Sequence, residues 1–350
     1  MPNVLYGLQK PGRYIGGEKN FYSNLKADFF FAYVFPEPYE IAFSNIGFQI
    51  LINEYSKYFK CDYAFMPGKD FADAGFNMFR FSQSNCSPNL TNDSFTAYNK
   101  DNMLHFDFLM QAARTQNFRI LYGLFGYLLP NDPPAPSAEL LRFVDYSINR
   151  WAAYVDIWQL QNERTASAQW INTVAAYLRD HDPYQHPITT SWERPELQVI
   201  EINAPHWYQH ESELKSDLIT ADKADNWKTL NKPVIVGEQG NSSAPGAYSN
   251  WLPDSALRMR LRCWTAFFKE ISILFWDTSY ATNGHSGGAS NIYLGPEERQ
   301  YIHVLQWFAN LVTRNDTTIT NVNVSNNSLM RAYGLTSNDG AALFIHHYAD

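Results

Sequence analysis

Short apolar runs alternate with helix-spaced stretches along most of this sequence. Residues 77–83 (N-M-F-R-F-S-Q), 118–125, 155–162, 187–192, 199–208, 234–238 and 271–276 read as strands. Residues 101–115, 138–151, 168–180, 216–230, 255–269 and 297–313 carry apolar residues at helical spacing. Upstream, residues 27–35 (A-D-F-F-F-A-Y-V-F) read as a further strand that Pro36 and Pro38 end, and helical spacing follows over 39–58. A strand–helix–strand string of this kind predicts parallel βαβ units, with eight strands if residues 29–35 supply the first. An open doubly wound sheet would give a similar string.

Polar residues at the ends of several different strands favour a closed barrel. Residues 155–164 (V-D-I-W-Q-L-Q-N-E-R) place Asn162 and Glu163 where an apolar strand gives way to a loop, and residues 233–240 (P-V-I-V-G-E-Q-G) end in Glu238. In a (β/α)8 barrel the catalytic face lies at the carboxyl ends of the strands. The expected fold is therefore α/β, a (β/α)8 barrel. Two strand-end carboxyls suit hydrolysis with retention, which needs a nucleophile and an acid/base about 5–5.5 Å apart.

After residue 315 the texture changes. T-T-I-T-N-V-N-V-S, S-L-M-R-A-Y-G-L and A-A-L-F-I-H-H-Y alternate in short β-like runs. They resemble the opening strands of a β-sandwich, or a small sheet laid against the barrel. The expected division is thus 1–70 for the first βα unit, 71–314 for the rest of the barrel and 315–350 for a short β extension. His346 and His347 look like a metal pair, but neighbours on a strand point to opposite faces, which favours a structural reading.

A chain of 350 residues suits one barrel with a small addition. A net charge of −8 implies no basic surface for nucleic acid. No apolar run reaches the roughly 18 residues of a membrane span, so no membrane partner is expected. The opening M-P-N-V-L-Y-G-L-Q-K lacks signal-peptide architecture, so the compartment is left unassigned. Cys61, Cys86 and Cys263 form no metal-ligand spacing and read as buried thiols. Aromatic residues make up 16% of the chain; most suit the core, and a few suit stacking on sugar rings.

From about residue 75 to 280 the chain resembles the retaining glycoside hydrolases of clan A, most nearly glycoside hydrolase family 5. The residues that carry the likeness are Arg80 in N-M-F-R-F, Asn162 with Glu163, His206 and Tyr208 in P-H-W-Y, Glu238 in V-G-E-Q-G, and Trp276 in L-F-W-D. The family's His after the third strand is replaced here by the run Gly123 to Tyr127, G-L-F-G-Y. The resemblance implies that Glu163 is the acid/base and Glu238 the nucleophile. It implies that Arg80 and Tyr208 hydrogen-bond Glu238, that Asn162 holds the sugar 2-OH, and that Trp276 is the platform under the reacting sugar. His206 would bond the substrate or the acid/base. For each of Trp207, Trp192 and Tyr127, packing and sugar contact are equally good readings. The implied substrate is an oligo- or polysaccharide, a β-1,4-glucan or β-mannan, cleaved without metal or cofactor.

Residues 1–70 resemble something else. R-Y-I-G-G-E-K-N and F-P-E-P-Y-E-I-A-F-S-N-I-G-F-Q-I-L are similar to the amino-terminal segment of a radical S-adenosylmethionine family, which suggests a chimera. The Cys-x3-Cys-x2-Cys signature of that family is absent, so its chemistry is not carried over. The competing readings are a catalytically inactive carbohydrate-binding barrel and a non-productive chimera.

Overall fold

The computed structural model describes residues 69–83, 89–208, 215–239, 242–244, 247–251, 255–275, 294–312, 317–325, 329–338 and 340–347. The expected strand at 29–35, the helix at 39–58, nearly all of the segment of foreign resemblance, Cys61, Cys86 and Trp276 lie outside the described residues. The chain divides into two compact units: Met1–Ala72 with Phe76–Glu201, and Asp73–Gly75 with Ile202–Asp350.

After a short helix α1 (Lys69–Ala74), the first unit runs β1 (Met78–Ser82), α2 (Lys100–Thr115), β2 (Arg119–Gly123), α3 (Ala138–Trp151), β3 (Ile157–Gln159), α4 (Ala168–His181) and β4 (Ile188–Thr189). Its strands form a four-stranded sheet in the order β1-β2-β3-β4, and every pair is parallel. Parallel strands are covered on both faces, which is why β3 is buried throughout. The helices begin where side chains satisfy the free N–H groups of the first turn. Asn99, Ser137 and Ser167 accept from the backbone N–H of Asn102, Leu140 and Trp170.

The core between this sheet and its helices is aromatic. Phe81, Phe106, Tyr122, Trp151 and Trp158 meet mostly edge to face or tilted. Two of these indoles bury an N–H, and each finds a carboxylate. Trp151 Nε1 donates to Asp107 at 2.8 Å, and Trp158 Nε1 donates to Asp182 at 3.1 Å.

The second unit runs β5 (His206–Trp207), α5 (Ser216–Lys228), β6 (Ile235–Gln239), β7 (Ser242–Ala244), β8 (Ala247–Trp251), α6 (Ser255–Phe268), β9 (Ser272–Phe275) and α7 (Pro296–Leu311). β5, β6 and β9 form a parallel three-stranded sheet in that order. β7 and β8 pair antiparallel as a hairpin that the alternation did not announce; in the sequence Pro245 and Gly246 separate them, a turn signal. The strand expected over 199–208 is cut down to β5. Residues 197–200 close a turn, with Ile200 N–H donating to Leu197 O, and Pro205 has no N–H to give a ladder. Cys263, read as a buried thiol, is only partly buried; the desolvation it still meets pushes the thiol up to about 12, the nearby Arg262 opposing.

Strands β10 (Thr318–Thr320), β11 (Met330–Ser337) and β12 (Gly340–His347) follow as an antiparallel sheet. Arg331, Tyr333 and Leu335 share one face of β11, opposite His346, Phe344 and Ala342 of β12. That face packs on α6 and α7 through Phe267, Phe268, Trp264 and Phe308. His346 is buried with it while its neighbour His347 is exposed, as alternation requires. The fold class is thus α/β with parallel strand–helix units, the (β/α)8 class, followed by a short β extension.

Candidate active site

In the first unit the hydrogen-bond ladder continues past the end of β3. Leu124 N–H donates to Gln159 O, Leu160 N–H to Thr189 O, and Phe125 N–H to Leu160 O. Asn162 N–H then donates to Gly126 O at 3.0 Å. Strand and loop therefore hold Asn162 from both sides, and it is buried. Gly126 lies at φ +53°, where a Cβ would stand 1.9 Å from Gln83 O, so only glycine lets this loop approach so closely.

Arg80 on β1 turns away from the side of its core neighbour Phe81. Its Nε and Nη2 donate to Gln159 Oε1 at 2.9 and 2.7 Å, and Nη2 also donates to Asn162. A guanidinium only donates, so the Asn162 atom facing it is Oδ1. The amide Nδ2 of Asn162 is then its remaining side-chain donor.

Glu163 follows with φ +54°, a left-handed backbone that is uncommon outside glycine. Its N–H donates to Ser191 Oγ at 2.8 Å, and its carboxylate accepts from Tyr127 OH. The Arg164 guanidinium lies 5.2 Å from the Tyr127 ring centre. Tyr127 thus touches Glu163 directly. Trp192, which follows Ser191, is exposed.

In the second unit β5 aligns His206 with Glu238 on β6. Pro205 O accepts from Gly237 N–H at 2.8 Å, which continues the ladder where the proline cannot donate. The register between β6 and β9 shifts between Val236 and Gln239, around Glu238; such irregularities re-aim strand-end side chains. Glu238 is 5% exposed. Its Oε2 accepts from Tyr208 OH at 2.7 Å and lies 3.4 Å from His206 Nδ1. Gly237 leaves room for that imidazole, since a Cβ there would meet the ring at 3.3 Å.

Trp207 takes the packing side of its two expected readings. It is 4% exposed and packs on Trp227 and Val236, with the Arg262 guanidinium 4.6 Å from its ring centre. Adjacent strand residues face opposite ways, and His206 takes the side of Glu238. Trp207 is therefore a core residue rather than a sugar contact. The structure thus brings Arg80, Asn162, Tyr127 and Glu163 together in one unit, and His206, Tyr208 and Glu238 in the other.

Three polar residues of the first unit escaped the sequence reading: Gln159, Ser191 and Glu193. Gln159 sits inside an apolar run and carries Arg80. Ser191 and Glu193 lie just beyond β4 in T-T-S-W-E-R, a strand end like the one that carries Glu163. Polar residues at a strand end were a partial signal; which neighbours they meet was not in the sequence.

No family model matches the sequence, and no curated protein matches it. Solved structures do resemble it in fold. The endo-β-1,4-mannanase of Thermotoga petrophila aligns at 12% identity over 80% of this chain and 86% of that one, with a TM-score of 0.50. A provisionally assigned glycoside hydrolase from Bacteroides vulgatus aligns at 15% identity over 79% of this chain, with a TM-score of 0.57. This chain spans 62% of that protein's length. The glycoside hydrolase family 5 mannosidase of Rhizomucor miehei aligns at 13% identity over 69% of this chain and 86% of that one, with a TM-score of 0.51. At such identities the likeness is one of fold: the chain shares the (β/α)8 barrel of family 5 glycoside hydrolases.

Proposed function

We propose that this protein is a retaining β-glycoside hydrolase that cleaves a β-1,4-linked glucan or mannan by double displacement. Glu238 is the nucleophile and attacks the anomeric carbon. Glu163 protonates the departing glycosidic oxygen, and then takes a proton from the water that releases the sugar from Glu238. Tyr208 orients the Glu238 carboxylate, with His206 beside it. Arg80 fixes the Asn162 amide so that Nδ2 meets the sugar 2-OH, a contact that strengthens at the transition state. Trp276 is the platform under the reacting sugar. Residues 71–314 form the catalytic barrel with the first βα unit drawn from 1–70, and 315–350 are its β extension.

The observation that carries the reading is the setting of Glu238: a buried strand-end carboxylate that accepts from a phenol beside an imidazole. A mannanase and a mannosidase are among the solved structures that share the fold, which supports keeping mannan beside glucan in the first substrate panel.

Glu163→Ala and Glu238→Ala separate the roles. Removing the nucleophile abolishes hydrolysis of every substrate. Removing the acid spares kcat/KM on a 2,4-dinitrophenyl glycoside, whose leaving group needs no proton in the first step. Azide should give a β-glycosyl azide with Glu163→Ala and an α-glycosyl azide with Glu238→Ala. Equal losses on activated and natural substrates would overturn the assignment. Binding of the polysaccharide without turnover by the unaltered protein would mark an inactive binding barrel.

A further inference from the structure

A left-handed backbone is strained at a residue such as glutamate and persists only where the surroundings hold it. For Glu163 the hold comes from the neighbouring strand end. Its N–H donates to Ser191 Oγ at 2.8 Å, and Ser191 is fully buried. A serine hydroxyl has one proton. That of Ser191 points at the Glu193 carboxylate, at 3.0 Å from Oε1 and 2.9 Å from Oε2. A carboxylate only accepts, so the direction of this bond is fixed and the lone pairs of Oγ are left for Glu163 N–H.

Glu193 is itself anchored. It is 4% exposed and accepts from the N–H groups of Ser191 at 3.0 Å and Trp192 at 3.1 Å. Thr190 Oγ1 donates to its backbone carbonyl at 2.5 Å. Burying a carboxylate is expensive, and a neutral side chain could staple a loop at lower cost. What the carboxylate adds is a fixed direction for the Ser191 hydroxyl.

We propose that Ser191 and Glu193 are positioning residues for the acid/base: Glu193 sets the Ser191 rotor, and Ser191 pins the left-handed backbone that aims the Glu163 carboxyl at the glycosidic oxygen. The proposal rests on the reading of Glu163 as the acid/base.

The test compares Ser191→Ala and Glu193→Gln with the unaltered enzyme and with Glu163→Ala. Values of kcat/KM are measured on phenyl and 2,4-dinitrophenyl β-glucosides and β-mannosides, alongside thermal melting of each variant. The expected result is a loss of about tenfold or more on the phenyl glycosides and less than about threefold on the dinitrophenyl ones, since a misplaced acid matters only when the leaving group needs a proton. A general loss of fold would lower both alike. Equal losses on the two leaving groups, or none, overturn the proposal while Glu163→Ala still shows the contrast. A Glu163→Ala variant without the contrast overturns the acid/base reading, and this proposal with it. Should Ser191→Ala fail to fold, the near-isosteric Glu193→Gln carries the same comparison.

Discussion

Asp182 shows how one side chain can organise its surroundings. It is buried beyond the end of α4 and accepts from the N–H groups of Tyr184 and His186, from Trp158 Nε1 and from His186 Nδ1. Burial alone would push its carboxyl up; the hydrogen bonds from His186, Tyr184 and Trp158 outweigh burial and hold it below the usual range. A carboxyl whose folded pKa is depressed contributes stability above its unfolded pKa and loses it as pH falls through the folded value. Asp182→Asn should therefore melt below the unaltered protein at pH 7, with the gap narrowing as pH drops past the ordinary aspartate value of about 3.9. A gap independent of pH would contradict this. Trp207 gives a second prediction at the same scale. As a core residue its truncation to Ala should cost about 3–5 kcal/mol, read from urea unfolding. A stable Trp207→Ala with weakened polysaccharide binding would restore it as a sugar contact.

Besides its aromatic packing, the β extension is tied down by a buried ion pair. Arg331 on β11 donates from Nε and Nη2 to both oxygens of Asp217 on α5, each at 2.7 Å, and Tyr333 OH adds a third bond at 2.9 Å. Asp217 is fully buried. Removing one partner strands the other charge, so Asp217→Ala should destabilise by about 3–5 kcal/mol. The double change Asp217→Leu with Arg331→Met should recover most of that, because an apolar pair needs no counter-charge. Urea unfolding of the three variants decides, and a double variant as unstable as the single would show that the charges themselves are required. At this scale much was legible in the sequence. The helix expected over 138–151 is α3 to the residue, because Ser137 caps it and its apolar stripe has period 3.6. Strand lengths were less legible. Pro205 and the turn at 197–200 break a run that composition alone made continuous.

Across the whole molecule, Asn162, Glu163 and Glu238 of the proposed site were legible as polar residues at strand ends, while Arg80 and Tyr208 were legible only through the family resemblance. Gln159, Ser191 and Glu193 were not picked out, because their parts depend on which strand ends lie side by side. The left-handed turn at Glu163 has no signature in the sequence either. Residues 29–35 remain the expected first barrel strand, and they lie outside the described residues. A barrel lacking one strand exposes two unpaired ladders. A chain shortened to begin at Asp70 should therefore aggregate or melt well below the full chain, and one that stays monomeric and equally stable would refute the assignment.

The most direct test of the double displacement is to trap its covalent intermediate. The protein is incubated with 2-deoxy-2-fluoro-β-glucosyl and β-mannosyl fluorides, digested, and its peptides are weighed by mass spectrometry. The account predicts one added fluorosugar on the peptide that contains Glu238, and none in Glu238→Ala. A label on Glu163 or elsewhere, or turnover of the natural glycan to an inverted product with no label, would contradict it.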